Sequence, residues 1–256
     1  MANWLRLFVG LSILGMVGCK HSDVVTGALP LKLPPTILWA WERPENLEFI
    51  DTAKIGVAFF AETIILEEGS VRIVKRVNQI KFAAGTKVMP VIRIEIHGVA
   101  KAQLDSSQCA STANAIMSFV TMLRTDKIQL DFDARQSDRD WYKHLLLSLR
   151  AKLPSETKIS ITALASWCMH DAWIDSLPID EAVPMLFRLG IAQKSVTEYL
   201  RAGGGFTSKK AVGCLGISTD ELLDALPSHE RLYIFSNRTW TKALLDSTLD
   251  HYHAQP

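Results

Sequence analysis

The sequence predicts an α/β fold, a (β/α)8 TIM-like barrel with an extra β-hairpin after strand 2. Three observations support this: eight short runs rich in apolar and β-branched residues, longer amphipathic segments between several of them, and one alternating segment around a glycine turn. This order is typical of repeated βα units around a parallel sheet. The predicted strands are Ile37 to Trp41, Ile55 to Phe60, Val88 to Ile94, Ile128 to Phe132, Lys158 to Ala163, Glu181 to Leu186, Ala211 to Ile217 and Arg231 to Phe235.

Predicted helices and the hairpin occupy the connections. Four segments repeat apolar residues at three- and four-residue spacing, which is the period of a helix with one buried face. Residues Thr63 to Val77 instead alternate on both sides of Gly69, which indicates an antiparallel hairpin near the barrel rim. A doubly wound open sheet is the competing architecture, but the units after strands five and seven are too short for it. The predicted helices are Ala110 to Leu123, Asp138 to Leu153, Ala192 to Ala202 and Trp240 to Tyr252.

The amino-terminal segment predicts a secretory signal followed by a lipid attachment site. Arg6 precedes the apolar run Leu7 to Val17, which is too short to span a bilayer comfortably. The run leads into Met16-Val17-Gly18-Cys19, which resembles the lipobox of bacterial lipoproteins, where the cysteine thiol is acylated. The predicted parts are a signal peptide at 1–18, a lipidated Cys19 with a polar tether at 19–35, and the barrel domain at 36–256. A buried N-terminal helix with an ordinary apolar cysteine is the alternative.

Charge and cysteine content narrow the possible partners. The chain has 256 residues, and removal of the first 18 leaves 238 with 27 basic and 27 acidic side chains, because Arg6 is the one charged residue removed. A neutral chain without a basic stripe excludes recruitment of nucleic acid by bulk charge. No cofactor or metal motif occurs, so no cofactor and no metal are expected. In an oxidising compartment Cys168 and Cys214 are the favoured disulfide pair, with buried free thiols, including Cys109, as the alternative.

The sharpest functional signal stands at the end of the fourth predicted strand. A barrel of this type places its working site at the carboxyl ends of its strands. Side chains alternate along a strand, so Asp131 and Asp133 share one face while Phe132 points toward the helices. Arg93 and Glu95 share a face of the third strand in the same way. We therefore expect these groups to meet at the mouth, where close carboxylates push their pKa values apart unless Arg93 holds both charged.

Such a pair of acids suits glycoside hydrolysis, in which one group protonates the leaving oxygen and the other acts as base or nucleophile. The candidate catalytic residues are Asp131, Asp133 and Glu95, and analogy with other barrels favours Asp133 as the acid. The alternative is a structural ion-pair network that caps the barrel, in which Asp131 pairs with Arg93 or Arg135 and no catalysis takes place.

Other strand ends carry candidates for ligand binding. Trp41 and Trp167 have flat rings that suit stacking on the apolar face of a sugar, with core packing as the alternative, whereas Trp39 is expected in the core. Arginine and asparagine side chains suit hydroxyl or charged substituents, and Glu42 or Asp220 could replace Glu95 as the second carboxylate. The candidate ligand-binding residues are Trp41, Glu42, Arg93, Arg135, Trp167, Arg188, Asp220 and Asn237.

Five segments carry a pattern that is specific as a set: Leu38 to Pro44, Gln129 to Arg135, Thr162 to Cys168, Leu177 to Arg188 and Gly216 to Glu221. Together they resemble a family of bacterial proteins catalogued as a domain of unknown function. The resemblance covers about residues 37–240. It implies a TIM-barrel-like fold, commonly behind a lipoprotein signal, and a distant similarity to glycoside hydrolases. It implies no substrate and no established catalytic residues.

The function that the sequence predicts is that of an envelope-anchored hydrolase acting on a glycan. Two alternatives stay open: a non-catalytic glycan-binding lipoprotein, and an assembly factor that contacts another envelope protein. The expected partners are a carbohydrate and, through the lipid on Cys19, a membrane. Lys20 rather than aspartate directly after the cysteine favours sorting to the periplasmic face of the outer membrane.

Overall fold

The computed structural model describes residues 31–97, 104–224 and 226–253. Its strands and helices alternate along most of the chain, as the sequence predicts. The strands are β1 (Thr36–Ala40), β2 (Glu45–Leu47), β3 (Ile55–Glu67), β4 (Ser70–Lys75), β5 (Ile80–Phe82), β6 (Val88–Ile96), β7 (Lys127–Asp131), β8 (Lys158–Leu164), β9 (Glu181–Met185), β10 (Cys214–Ser218) and β11 (Arg231–Phe235). The helices are α1 (Ser106–Leu123), α2 (Arg139–Lys152), α3 (Ala165–His170), α4 (Gln193–Arg201) and α5 (Lys242–His253).

Eight parallel strands form a closed barrel, which confirms the predicted fold class. Around the barrel the order is β1, β3, β6, β7, β8, β9, β10 and β11. The barrel closes because β1 pairs on both sides: Thr36 is in register with Leu232 of β11 and with Ile55 of β3. All eight predicted strands belong to this barrel, within a few residues at their ends.

The predicted hairpin is an extension of β3. That strand has 13 residues, and its second half, from Glu62 to Glu67, pairs with β4 in antiparallel register. The turn contains Gly69 at φ 67°, a left-handed conformation that costs glycine little. β2 and β5 pair separately as a short parallel ribbon. The second barrel strand thus carries its hairpin beyond the carboxyl end of β1.

Helices cover part of the outer wall. α1 begins at the N-cap Asp105, whose side chain accepts the backbone N–H of Gln108 at 2.8 Å. α1 and α2 bury Ile116 and Leu145 against one side of the barrel, and α4 and α5 pack on another side. α3, with six residues, was not among the predicted helices. In the described ranges no helix separates β1 from β3 or β10 from β11, so the barrel is incompletely covered.

Inward-facing side chains fill the barrel with an apolar core and one tight contact. Trp39 lies inside this core and is 2% exposed, as the sequence predicts. Gly216 makes room for it, since a Cβ at that position would lie 2.8 Å from the indole ring. Interior packing thus depends on the smallest residue facing the largest one.

A buried polar network lies near the amino-terminal end of the barrel, around Glu181 of β9. Its Oε1 accepts hydrogen bonds from the hydroxyl groups of Ser160 (3.0 Å) and Tyr233 (2.6 Å). Its Oε2 accepts from the guanidinium of Arg231 at 2.6 Å and from the thiol of Cys214 at 3.2 Å. Each oxygen of this carboxylate therefore has two hydrogen-bond donors.

The first described residues close the same end of the barrel. Leu31 is buried in the interior cluster, and Arg231 donates to the carbonyl oxygens of Leu31 at 2.7 Å and Leu33 at 3.2 Å. Residues 31–35 stand in the segment predicted as a tether. Leu31 and Leu33 pack into the interior cluster and their carbonyl groups bind a buried arginine, so this part of the segment packs against the barrel.

The predicted disulfide between Cys168 and Cys214 is wrong: both are buried free thiols, as is Cys109. The two cysteines lie on opposite faces of the sheet, Cys168 in the core beneath the helices and Cys214 inside the barrel. Burial raises the pKa of the Cys168 thiol to about 12. Within the described ranges no helix is both long and apolar enough to cross a bilayer. The predicted signal peptide and Cys19 lie outside the described residues.

Candidate active site

A cleft with a volume of about 460 Å³ opens at the carboxyl ends of the barrel strands. A groove of about 540 Å³ also exists on the outer wall beside α4, but it lies away from those strand ends. The cleft at the mouth combines acidic, basic and aromatic side chains, and this makes it the candidate site. Its charged and aromatic lining residues are Arg93, Asp131, Asp133, Arg188, Trp39, Trp41, Phe187 and Phe235.

Asp131, the last residue of β7, has an unusual environment. Its side chain is 13% exposed, and Oδ1 accepts a 2.6 Å hydrogen bond from the hydroxyl of Thr162 on β8. Burial first, and then the charge of Asp133, raise the pKa of Asp131 to about 6, against the opposing effects of Thr162 and Arg93. Near neutral pH this carboxyl group can therefore exchange a proton, as a general acid must.

Arg93 of β6 contacts two carboxylates. Its Nη2 lies 2.8 Å from Oε1 of Glu95, and its Nε lies 3.9 Å from Oδ2 of Asp131. The shared strand face predicted for Arg93 and Glu95 accounts for the closer pair. Glu95 does not line the cleft, but it contacts Arg93, which does. The structure thus brings Arg93, Asp131 and Asp133 together at the mouth and engages Glu95 in an ion pair.

Asp133 differs from Asp131 in its exposure. It lies two residues beyond, lines the cleft and is exposed, with no hydrogen bond or ion pair to any other described residue. Phe132 between the two acids is buried against Trp141 and Tyr142 of α2. This burial directs Phe132 toward the helices. The cleft therefore holds two carboxyl groups in unequal surroundings.

Aromatic rings form much of the remaining surface. The ring of Trp41 lies 5.4 Å from Phe60 and 6.2 Å from Phe235, measured between centroids. Phe187 and Phe235 stack at 5.5 Å with their planes 4° apart. Trp39 lies deeper and donates its Nε1–H to Oε1 of Gln129 at 2.7 Å. Flat apolar faces beside carboxyl groups suit a sugar ring with its polar rim.

The segment that carries Trp41 is held by residues after the hairpin. Arg76 donates from its guanidinium to the carbonyl oxygens of Trp41 and Arg43. Asn78 donates from Nδ2 to the carbonyl of Glu42 at 2.9 Å. Three consecutive carbonyl groups beyond β1 are thus bound by the chain that leaves β4. The Glu42 side chain itself is exposed and does not line the cleft.

Arg188 belongs to a second charged group at the rim. Its Nη2 lies 3.0 Å from Asp220 and its Nε 3.2 Å from Glu221, which also accepts the Arg188 backbone N–H at 2.8 Å. Asn237 donates to Asp220 at 2.7 Å. Arg188 has φ 55°, uncommon for a residue with a side chain, and the contacts with Glu221 hold it there. Arg188 lines the cleft, whereas Asp220 and Asn237 reach it through this arginine.

Two further predicted ligand-binding residues point elsewhere. Trp167 is buried and packs against Trp173 at 4.9 Å, with the Arg139 guanidinium 5.0 Å from its ring. Arg135 pairs with Asp138 at 3.0 Å beside the start of α2. A place near a strand end does not bring a side chain into the mouth once the chain has turned into a helix.

Among the lining residues that were not chosen from the sequence are Thr162, Phe187 and Phe235. Thr162 lies two residues after Ser160 on β8, so both face the barrel axis. Their hydroxyl groups donate to Asp131 and Glu181. Inward alternation on neighbouring strands was the signal that could have identified Thr162. Phe187 lies just beyond β9 and Phe235 ends β11, so their position at strand ends was the signal for both.

No family model and no curated protein sequence matches the chain. Among solved structures, it is similar to a chitinase from Rhizomucor miehei, with 15% identity and a TM-score of 0.46 over 72% of this chain and 69% of that one. It is similar to a putative chitinase A from Streptomyces coelicolor, with 10% identity and a TM-score of 0.47 over 85% and 82%. It is also similar to the spore cortex-lytic enzyme SleL of Bacillus cereus, with 14% identity and a TM-score of 0.42 over 73% and 52%. The resemblance to the bacterial family of unknown function stays a prediction.

Proposed function

We propose that the barrel mouth binds a glycan and hydrolyses a glycosidic bond, with Asp131 as the general acid and Asp133 as the second carboxylate. The observation that carries the proposal is that a buried carboxyl group, Asp131, and an exposed one, Asp133, line the same aromatic cleft. Burial raises the pKa of Asp131 to about 6. The sequence favoured Asp133 as the acid. Burial favours Asp131 instead, because loss of water around a carboxyl group stabilises its protonated form.

The chemistry assigns one step to each acid. Protonated Asp131 transfers its proton to the glycosidic oxygen as the bond between that oxygen and the anomeric carbon breaks. Ionised Asp133 takes a proton from water as the water oxygen bonds to the anomeric carbon. Thr162 holds the Asp131 carboxyl group, and Trp41 offers the face on which a sugar stacks. Asp133 then releases its proton to solvent and Asp131 takes one up, which restores both groups.

Release of reducing ends from a panel of polysaccharides and peptidoglycan fragments tests this proposal. We expect Asp131→Asn and Asp133→Asn each to lower the rate by about 100-fold or more, the usual contribution of an acid or base. The matched control is Asp140→Asn, which removes an exposed carboxylate from the first turn of α2, outside the cleft. The wild-type rate should fall as the pH rises through about 6, because Asp131 loses its proton. A wild-type protein that releases no reducing ends from the panel contradicts hydrolysis.

Glycan binding without hydrolysis is the second candidate, and the engagement of Glu95 favours it. That carboxylate is held by Arg93 at 2.8 Å and is absent from the cleft lining, so Asp133 is left as the second acid there. Under this candidate, glycans bind the wild-type protein, Trp41→Ala weakens binding, and no reducing ends form. Calorimetry on the same panel separates the two candidates.

We also propose that the chain is anchored in the bacterial cell envelope by a lipid on Cys19, with the barrel on the periplasmic face of the outer membrane. The support is the apolar run that leads into Met16-Val17-Gly18-Cys19, followed by Lys20. Expression with an alkyne-labelled fatty acid tests it. Cys19→Ser should abolish labelling and release the protein from the membrane fraction, while Cys109→Ala should keep both. Undiminished labelling of the Cys19→Ser protein would contradict the anchor.

A further inference from the structure

The two arginines that line the cleft are already neutralised by the chain. Arg93 pairs with Glu95 at 2.8 Å, and Arg188 pairs with Asp220 at 3.0 Å and Glu221 at 3.2 Å. An acidic group on a ligand would have to compete with these carboxylates for either guanidinium. The arginines therefore do not make the cleft a site for anions.

In the group formed by the charged residues of the cleft and the carboxylates paired with them, acidic side chains outnumber the two arginines. Asp133 lines the cleft, is exposed and has no cationic partner among the described residues. The two arginines are accompanied by more carboxylates than they can neutralise, so the group is negative whether or not Asp131 carries its proton. The carboxylates are Asp131, Asp133, Glu95, Asp220 and Glu221.

Aromatic faces in the same cleft add to the attraction for a cation. Trp41, Phe187 and Phe235 contribute rings to the lining. The face of an aromatic ring carries negative electrostatic potential and attracts ammonium groups, and the attraction grows as water is excluded. An unpaired carboxylate together with aromatic faces is a combination that recognises ammonium groups.

We propose that this cleft selects a glycan with free amino groups, as in a de-N-acetylated amino sugar, over neutral and acidic glycans. The inference rests on the proposed function of the mouth as a glycan site. Asp133 pairs with the ammonium group of the sugar, and Trp41 stacks on its ring. The ligand supplies a positive charge, which none of the residues that the structure describes places in an ion pair with Asp133.

Binding of four tetrasaccharides tests the charge preference: β-1,4-linked glucosamine, N-acetylglucosamine and glucose, and α-1,4-linked galacturonate. Calorimetry uses the full chain as the wild-type protein and as Asp131→Asn, which prevents turnover. We expect the glucosamine tetramer to bind about tenfold more tightly than the N-acetylated and glucose tetramers, since one partly exposed charge contact has about that value. Because salt screens exposed charges, the advantage should shrink when the ionic strength is raised from about 0.05 to 0.5 M.

Two variants identify the residues responsible. Asp133→Asn should abolish the preference for glucosamine, whereas Asp140→Asn should preserve it. Trp41→Ala should weaken binding of both the glucosamine and the glucose tetramer, and that of glucosamine more, because it removes stacking from both and an attractive ring face from the ammonium group alone.

The outcomes distinguish this inference from the proposed function. Equal affinity for the amino, N-acetylated and neutral tetramers overturns the inference and leaves glycan binding in place. So does a preference for the galacturonate tetramer. Absence of binding to all four overturns the inference, and if the wider panel also gives neither binding nor reducing ends, the proposed function falls with it.

Discussion

Two carboxylates occupy opposite ends of the barrel interior, and their surroundings differ. Glu181, near the amino-terminal end, has a side chain that is 1% exposed and is bound by Arg231 at 2.6 Å and Tyr233 at 2.6 Å, among other donors. Asp131, at the mouth, has one hydroxyl donor, Thr162, and an arginine nitrogen 3.9 Å away. Each oxygen of Glu181 therefore has two hydrogen-bond donors, whereas Asp131 has a single hydrogen-bond donor among the described side chains.

The contrast shows how one barrel can separate rigidity from reactivity. A buried charge with complete partners is fixed in place, and removal of one partner is costly. A buried carboxyl group with incomplete partners holds its proton to higher pH and becomes useful for proton transfer. The amino-terminal end thus stabilises the fold, and the mouth keeps the group that can change its charge.

The largest effect on stability is expected at the amino-terminal end of the barrel, around Glu181. Glu181→Gln should lower the free energy of unfolding by about 3 to 5 kcal/mol, because it leaves the Arg231 guanidinium, 4% exposed, without its counter-ion. Urea unfolding followed by circular dichroism measures this. The double variant Glu181→Gln/Arg231→Met, which leaves no unpaired charge, should lose less than the sum of the single losses. A loss below about 1 kcal/mol for Glu181→Gln would show that the network does not stabilise the barrel.

At the mouth, removal of a carboxyl group should stabilise the folded protein as the pH rises. Asp131 has a folded pKa of about 6 against an ordinary value of 3.8, so the folded state binds the proton more tightly. Its contribution to stability therefore falls as the pH rises from about 3.8 to about 6. The free energy of unfolding of Asp131→Asn minus that of wild type should be higher at pH 7.5 than at pH 3.5, by up to about 3 kcal/mol. Unfolding at both pH values measures this, and a difference that does not change with pH would contradict the raised pKa.

The smallest of the three effects is expected between the two ends. Gly216→Ala should destabilise the barrel by about 1 to 3 kcal/mol, because the new Cβ would lie 2.8 Å from the ring of Trp39. Thermal unfolding measures the loss. Gly205→Ala is the matched control, because nothing lies within 4 Å of a Cβ at that position. Equal stability of the two variants would mean that the interior adapts to the added methyl group without cost.

The fold was largely predictable because its signals are local. The run Ile128 to Phe132 is apolar apart from its inward-facing polar residues, as expected for a strand between a barrel interior and covering helices. The same alternation placed Asp131 and Arg93 on inward faces. A short element such as α3 was missed because six residues give too little helical periodicity to recognise.

The partners of each side chain were less predictable because they depend on distant parts of the chain. Thr162 meets Asp131 from the next strand, and Arg231 meets Leu31 across nearly the whole sequence. Cys168 and Cys214 looked suitable for pairing, but the sheet lies between them. The direction in which Trp167 points depends on how the chain turns after β8, which the sequence pattern does not encode locally.

The position of Trp41 at the mouth depends on the chain that follows the hairpin strand β4, outside the eight strands of the barrel. Arg76 and Asn78 bind the carbonyl groups of Trp41, Glu42 and Arg43 from outside the strand order of the barrel. A change at Arg76 would therefore reach the lining of the mouth through the backbone of Trp41, although Arg76 itself does not line the cleft.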